Sequence, residues 1–162
     1  MPRTYEPIAS SSPSAASSVE FTSISGSFTD LVLVYHLTSS TGAEDMWMRY
    51  NSDTGTNYSA TVLYGTGSAA GSYRTTGTPN RALLDFYAIP GTSERAMGIV
   101  QIMSYANSNV FKTALSSPSR AGNGVDRVVT LWRNTSAITT VTLFAGSGTI
   151  TGTVNLYGIK AA

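Results

Sequence analysis

The chain predicts an all-β fold: a single-domain antiparallel β-sandwich, jelly-roll-like, with an extended N-terminal arm over residues 1–17 and the sandwich over residues 18–162. Three observations predict it. Apolar and polar residues alternate in short runs, the period-2 signature of strands with one buried face. Gly, Ser, Asn and Pro break those runs every 8–12 residues or so, which makes roughly eight to ten strands. No stretch holds a helical period for three turns, and no internal repeat points to a propeller or solenoid.

Taken in order, residues 1–18 are poor in bulky side chains, and only Tyr5 and Ile8 have much to bury. An extended arm lying on its own domain or on a neighbour suits this composition. Residues 19–24 alternate around Val19 and Phe21, and 26–29 make a turn. Residues 30–38, DLVLVYHLT, are apolar on both faces, which predicts a central strand covered on both sides. Residues 45–51 set Met46, Met48 and Tyr50 against Trp47, Arg49 and Asn51. The Gly-, Ser- and Thr-rich stretch 52–80 predicts one strand near 60–64. Residues 81–89 suit either a strand or a short helix, ended by Pro90 and Gly91. Residues 94–105 place Met97, Ile99 and Gln101 opposite Gly98, Val100 and Ile102; 107–109 turn the chain, and 110–115 run back as the second arm of a hairpin.

The alternation is cleanest at the end of the chain. Residues 126–159 read as three strands joined by two tight turns, with no charged side chain from Asn134 to Ile159. In the last strand Ile150, Val154 and Leu156 share one face, and Thr151, Thr153, Asn155 and Tyr157 the other. A sheet face without Lys or Glu is either buried or meets something. Those four residues, with Tyr5 and Ile8 of the arm, are the candidate contacts with a partner or a neighbouring subunit.

A length of 162 residues suffices to bury about 70% of the unfolded surface without disulfide or metal, and Cys is absent. The first residues lack the apolar core of a signal peptide, and no apolar run is long enough to cross a bilayer, so the expectation is a soluble protein made in a reducing cytoplasm. Ten basic and nine acidic side chains are scattered, net charge +1, which leaves no electrostatic footprint for nucleic acid or an anionic membrane. Charged residues are only 12% of the chain, about half the usual share. A low-charge, Thr-rich surface whose cations are mostly Arg points toward life inside a larger assembly.

Chemistry is sparse. His36 is the only histidine, which removes most Ser/His/Asp triads, His-rich metal sites and histidine acid-base pairs, and its place in an apolar strand points to a structural role ahead of a pH switch or ligand. The carboxylates Asp30, Glu44, Asp45, Asp53, Asp85, Glu94 and Asp126 fall mostly at strand ends and turns, where capping is the default role. Residues 51–55 lack the later acidic ligand of a calcium loop. The chain is therefore expected to have no catalytic residue, no metal and no cofactor. Trp47, Tyr58 and Tyr64 are the candidate glycan contacts, since flat aromatic rings stack on pyranoses, although aromatics also fill β cores without any ligand.

Residues 132–139, WRNTSAIT, then 141–143, a Gly-rich turn and the closing 154–159, VNLYGI, resemble a group of small virion proteins of tailed bacteriophages, as do 50–59 and 102–113. The resemblance covers most of the chain from about Phe21, and its motifs are strand and turn text. It implies a non-enzymatic virion component: a capsid decoration (cement) protein that binds the major capsid protein and stabilises the shell. A tail- or fibre-associated receptor- or glycan-binding module is the alternative. The expected assembly is a homotrimer on the capsid exterior, and the short C-terminal tail favours the decoration reading.

Overall fold

The computed structural model describes residues 4–42, 44–75 and 79–160. It contains two antiparallel sheets. The larger has eight strands: β1 (Tyr5–Ser11), β3 (Asp30–Ser39), β5 (Tyr58–Gly65), β6 (Ala70–Arg74), β8 (Ala96–Met103), β9 (Lys112–Arg120), β10 (Gly124–Trp132) and β12 (Ile150–Ile159). The smaller has four: β2 (Val19–Phe21), β4 (Met46–Tyr50), β7 (Ala82–Leu83) and β11 (Val141–Ala145). The strand orders are β1-β12-β3-β8-β9-β10-β5-β6 and β2-β11-β4-β7. The chain is an all-β sandwich.

The core lies between the sheets and follows the alternation. Ile150, Val154 and Leu156 of β12 are fully buried, beside Leu31, Leu33, Tyr35 and Leu37 of β3, and they pack against Met46, Met48 and Tyr50 of β4 and Val141 and Leu143 of β11. Trp132 closes one end of this core, its ring 5.4 Å from that of Tyr50 and 6.3 Å from that of Tyr58. Its Nε1 donates to Asp53 Oδ2 at 2.7 Å. Burial works against ionisation of Asp53, but donors from Asn57, Trp132 and Gly55 outweigh it and hold the carboxyl below the usual range.

Four expectations change. The last quarter of the chain is not a three-stranded meander, because β10 and β12 are separated within the large sheet and β11 belongs to the small one. Residues 133–140 cross between sheets, anchored by Asn51: its Nδ2 donates to the Ala137 carbonyl, and its Oδ1 accepts the N–H groups of Thr139 and Thr140. Residues 58–74 form a full hairpin, β5 with β6, rather than one short strand. Residues 81–89 are strand only at Ala82 and Leu83; the remainder to 93 is an irregular strap. Strand β9 continues past Leu115 to Arg120, through Pro118.

The N-terminal arm is the edge strand of the large sheet. β1 pairs with β12 from Tyr5↔Ile159 to Ser11↔Val154, with a bulge between Pro7 and Ala9 that blunts the exposed edge. Beyond it, the Pro13 carbonyl accepts the Gly152 N–H and Ala16 bridges to Ile150. Gly152 has φ +145°, a conformation that L side chains rarely adopt, and a Cβ there would meet the His36 carbonyl.

Close packing against glycine makes one test of the core. A Cβ on Gly98 would lie 2.2 Å from Cζ of the buried Tyr35 ring on the neighbouring strand. Gly98→Ala is expected to lower unfolding stability by about 1–3 kcal/mol through overpacking, read as a lower urea midpoint at unchanged m-value.

Candidate interaction surface

The small sheet and its loops cover one face of the large sheet. On the other face, pairing partners point the same way, so the outward rows can be read from the register: Thr61 and Leu63 of β5; Val125, Arg127 and Val129 of β10; Leu115 and Ser117 of β9; Met97 and Ile99 of β8. Six of these residues are large and apolar, and Leu63, Met97, Ile99, Leu115, Val125 and Val129 are 42–60% exposed. Scattered apolar side chains are ordinary on a surface, but six on neighbouring strands form a patch of the kind that marks a contact site. His36 lies on the same face at the Met97 register.

A groove of about 680 Å³ opens in this patch, walled by Leu63, Val125 and Arg127 on one side and Met97 and Ile99 on the other, with residues 117–119 between. It lies where the ladder between β9 and β10 is interrupted. Pairing between β9 and β10 is made at Val125↔Ser119 and again at Val128↔Ser116, and this register puts Pro118 opposite Asp126. Proline has no N–H to give to a ladder. The Asp126 carbonyl accepts Arg127 Nη1 at 3.1 Å, which lays the guanidinium along the gap.

The groove is backed from inside by the strap at 84–93. Asp126 points inward and is buried, and its Oδ2 accepts the N–H groups of Phe86, Tyr87 and Ala88 at 2.8, 2.9 and 2.9 Å. On the strap itself, buried Asp85 accepts the Met46 N–H at 2.9 Å, so the strap joins β10 to β4 and thus one sheet to the other. Arg120 adds a donor to the Ile89 carbonyl at 2.7 Å and an ion pair with Glu94 at 3.0 Å. Burial pushes Asp85 well above the usual carboxyl range; the Met46 N–H opposes this, and Asp45 and Asp126 reinforce it. Asp45 rises to about 6, through burial first and then Glu44 and Asp126, with Arg81 opposing.

The residues proposed from sequence do not share one site. Tyr5 is exposed at the sheet edge, and Ile8 packs on the core. Thr153 is exposed and Tyr157 half-buried on the outward row of β12. Thr151 and Asn155 are engaged within the chain: Thr151 Oγ1 accepts the Ala15 N–H at 2.9 Å, and Asn155 Oδ1 accepts the Ser10 hydroxyl at 2.7 Å. The aromatic trio is corrected. Tyr58 is buried, its hydroxyl accepting the Tyr50 N–H and donating to the Asp53 carbonyl, so it offers no face to a sugar. Tyr64 packs on Phe86 and Tyr87, with ring centroids 5.7 and 4.4 Å away. Trp47 packs on the Leu83 cluster and carries the Arg81 guanidinium 4.2 Å above its ring. Of the three only Tyr58 belongs to the buried core between the sheets; Tyr64 is half-buried, and Trp47 is half-buried on the strand face opposite Met46, Met48 and Tyr50.

The exposed patch was the feature the sequence reading missed. The signal was present in residues 96–103, where both alternating sets, Met97 and Ile99 as well as Val100 and Ile102, are apolar. Among the described residues no three metal-ligating side chains come together.

Two predictions concern the strap. Asp126→Ala would leave three inward N–H groups without an acceptor and is expected to cost about 3 kcal/mol, with hydrogen exchange at residues 86–88 rising more than elsewhere. For Asp45 the folded pKa lies above the unfolded value, so the neutral form favours folding; its contribution is complete below pH ~4 and lost as pH rises through about 6. Asp45→Asn should therefore gain stability relative to the parent between pH 4 and 7, measured as a widening difference in Tm.

No protein-family model matches the chain, and no curated protein matches it in sequence. Among solved structures it is similar to a Caenorhabditis elegans galectin, at 9% identity over 95% of this chain and 96% of that one, TM-score 0.38. It is also similar to an exo-inulinase from Aspergillus awamori, at 8% identity over 96% of this chain and 29% of the enzyme, TM-score 0.39. An alginate lyase in complex with an alginate trisaccharide aligns at 12% identity over 82% of this chain and 72% of that one, TM-score 0.32.

Proposed function

We propose that the protein is a non-enzymatic structural component of a tailed-phage virion, a capsid decoration protein that fastens to the major capsid shell through the outward face of its large sheet. The observation that carries the reading is the apolar patch of Leu63, Met97, Ile99, Leu115, Val125 and Val129 on a chain with few charges. A face of this kind gains by being covered, at about 25 cal/mol for each Å² of apolar surface removed from water. Support also comes from the resemblance of the 132–159 text to small virion proteins. Decoration as a homotrimer would repeat one modest contact several times on a symmetric shell, which multiplies avidity without any single strong site.

The alternative of a glycan-binding tail or fibre module loses its sequence-based support, because Tyr58 is buried and Trp47 and Tyr64 are packed against neighbouring side chains. The groove is lined by aliphatic side chains, Met97, Ser117, Pro118, Ser119 and Arg127, with Tyr64 at its inner edge, so it presents no row of open rings for sugars.

Ile99→Asp changes an exposed side chain and should alter stability by only about 0.5 kcal/mol or less. It is expected to remove co-sedimentation with DNA-free shells of the parent phage while the far-UV CD spectrum is unchanged. Co-sedimentation equal to that of the parent protein would overturn docking through this face. Native mass spectrometry at micromolar concentration showing only monomer would overturn the trimer.

A further inference from the structure

We propose that the groove between Leu63/Val125 and Met97/Ile99 receives an apolar protein segment bearing a carboxylate, and that Arg127 with the hydroxyls of Ser117 and Ser119 is its carboxylate receptor. The inference deepens the docking reading above and rests on it. It is argued from what the groove offers and from what it lacks.

The apolar walls call for an apolar occupant, and the polar inventory decides its charge. Arg127 is exposed, and its one hydrogen bond among the described residues is from Nη1 to the Asp126 carbonyl. That leaves most of a planar fork of donors open at the groove wall, the arrangement that suits a carboxylate. Arg127 has no acidic partner among the described residues; the Asp126 carboxylate lies on the inward face of the strand, committed to three strap N–H groups. The hydroxyls of Ser117 and Ser119 line the floor and are without a partner in the described structure. Among the described residues Asp126 is the one acid along the groove, and its carboxyl is buried on the inward face.

The rest of the face has the same bias. Arg74 stands outward beside Thr61 at the register of the neighbouring strand, and His36 is exposed on β3. The outward carboxylate at the far end, Asp30, has both oxygens occupied, by Gln101 Nε2 at 3.0 Å and the Ser104 N–H at 2.8 Å. A second copy laid face to face would therefore bring cations and no open carboxylate to Arg127. Charge complementarity points to a different polypeptide with acidic residues among apolar ones, and leaving a guanidinium desolvated without such a partner would be costly.

The test uses the full chain, 15N-labelled, titrated with the peptide acetyl-Leu-Glu-Val-Glu-Leu-amide, with the same peptide carrying Gln for Glu, and with decanoate. Amide shifts of residues 63, 97, 99, 125 and 127 report the groove, and the remaining spectrum confirms that each variant is folded. The expected result is that the acidic peptide shifts the groove amides, the Gln peptide binds about fivefold more weakly or worse, and Arg127→Gln removes that difference while Arg127→Lys keeps part of it. Equal binding of the two peptides, indifference to Arg127→Gln, or no shift with either peptide would overturn the proposal. Saturation by decanoate with no response to the peptide would overturn it in favour of a fatty acid. Shell co-sedimentation separates this inference from the docking reading. Loss with Ile99→Asp but retention with Arg127→Glu sinks the carboxylate receptor alone, whereas retention with both sinks docking itself.

Discussion

The inward carboxylate of Asp126 is the contact on which the arrangement of this molecule turns. A buried carboxylate is expensive unless its oxygens are met by donors. Here Oδ2 collects three successive N–H groups from a strap that has no secondary structure of its own, which offsets part of the cost of burying both the carboxyl and the strap amides, while Oδ1 has no partner among the described residues. The strap then carries Asp85 to the Met46 N–H, joining the sheets at an end where only the two residues of β7 reach the small sheet. On the opposite face of the same β10 strand lie Val125 and Arg127 of the groove wall, so the strand that ties the sheets together also lines the candidate binding surface.

The second constraint is arithmetic. Eight strands on one side and four on the other cannot bury both faces of the larger sheet. The chain covers the inward face with the small sheet, the strap and the aromatic group of Trp132, Tyr50 and Tyr58, and leaves aliphatic residues outward on β5, β8, β9 and β10. A surface of this kind is a liability for a free monomer and useful in an assembly, where the exposed area becomes contact area. The scarcity of charge fits the same setting. The ladder gap opposite Pro118 lies within the groove, beside an arginine with one hydrogen bond among the described residues.

Much of the fold was legible from residues alone where one face of a strand is buried and the other is not. Ile150, Val154 and Leu156 were identified as core by alternation and are fully buried, and Met46, Met48 and Tyr50 likewise. Residues 94–115 form the hairpin that their turn residues announced. The reading failed where local chemistry was overruled from a distance. Residues 116–120 lie beyond the predicted second arm at 110–115, yet they continue a central strand, since flanking ladders hold them extended. The strap could not be inferred, because nothing within 84–93 says that a carboxylate some forty residues later will satisfy its amides. The candidate site was half legible: the two-sided apolar pattern of 96–103 signals a second covered face, but of the aromatic residues chosen instead Tyr58 is buried in the core and Trp47 and Tyr64 pack half-buried on neighbouring side chains.

By itself, the sequence determined that this chain is all-β, which residues of most strands face inward, and that it has a single histidine, no thiol and no clustered charges. These are consequences of local period and composition, which the chain carries without reference to its fold. Only the tertiary structure decided which strands are neighbours, that the arm is an edge strand, that 133–140 crosses between sheets, and which apolar face stays uncovered. Those outcomes rest on pairings between distant residues, Asp126 with the strap, Asn51 with the crossover and Pro118 with the gap beside Arg127, and alternation records the direction of a side chain but not the partner it will meet.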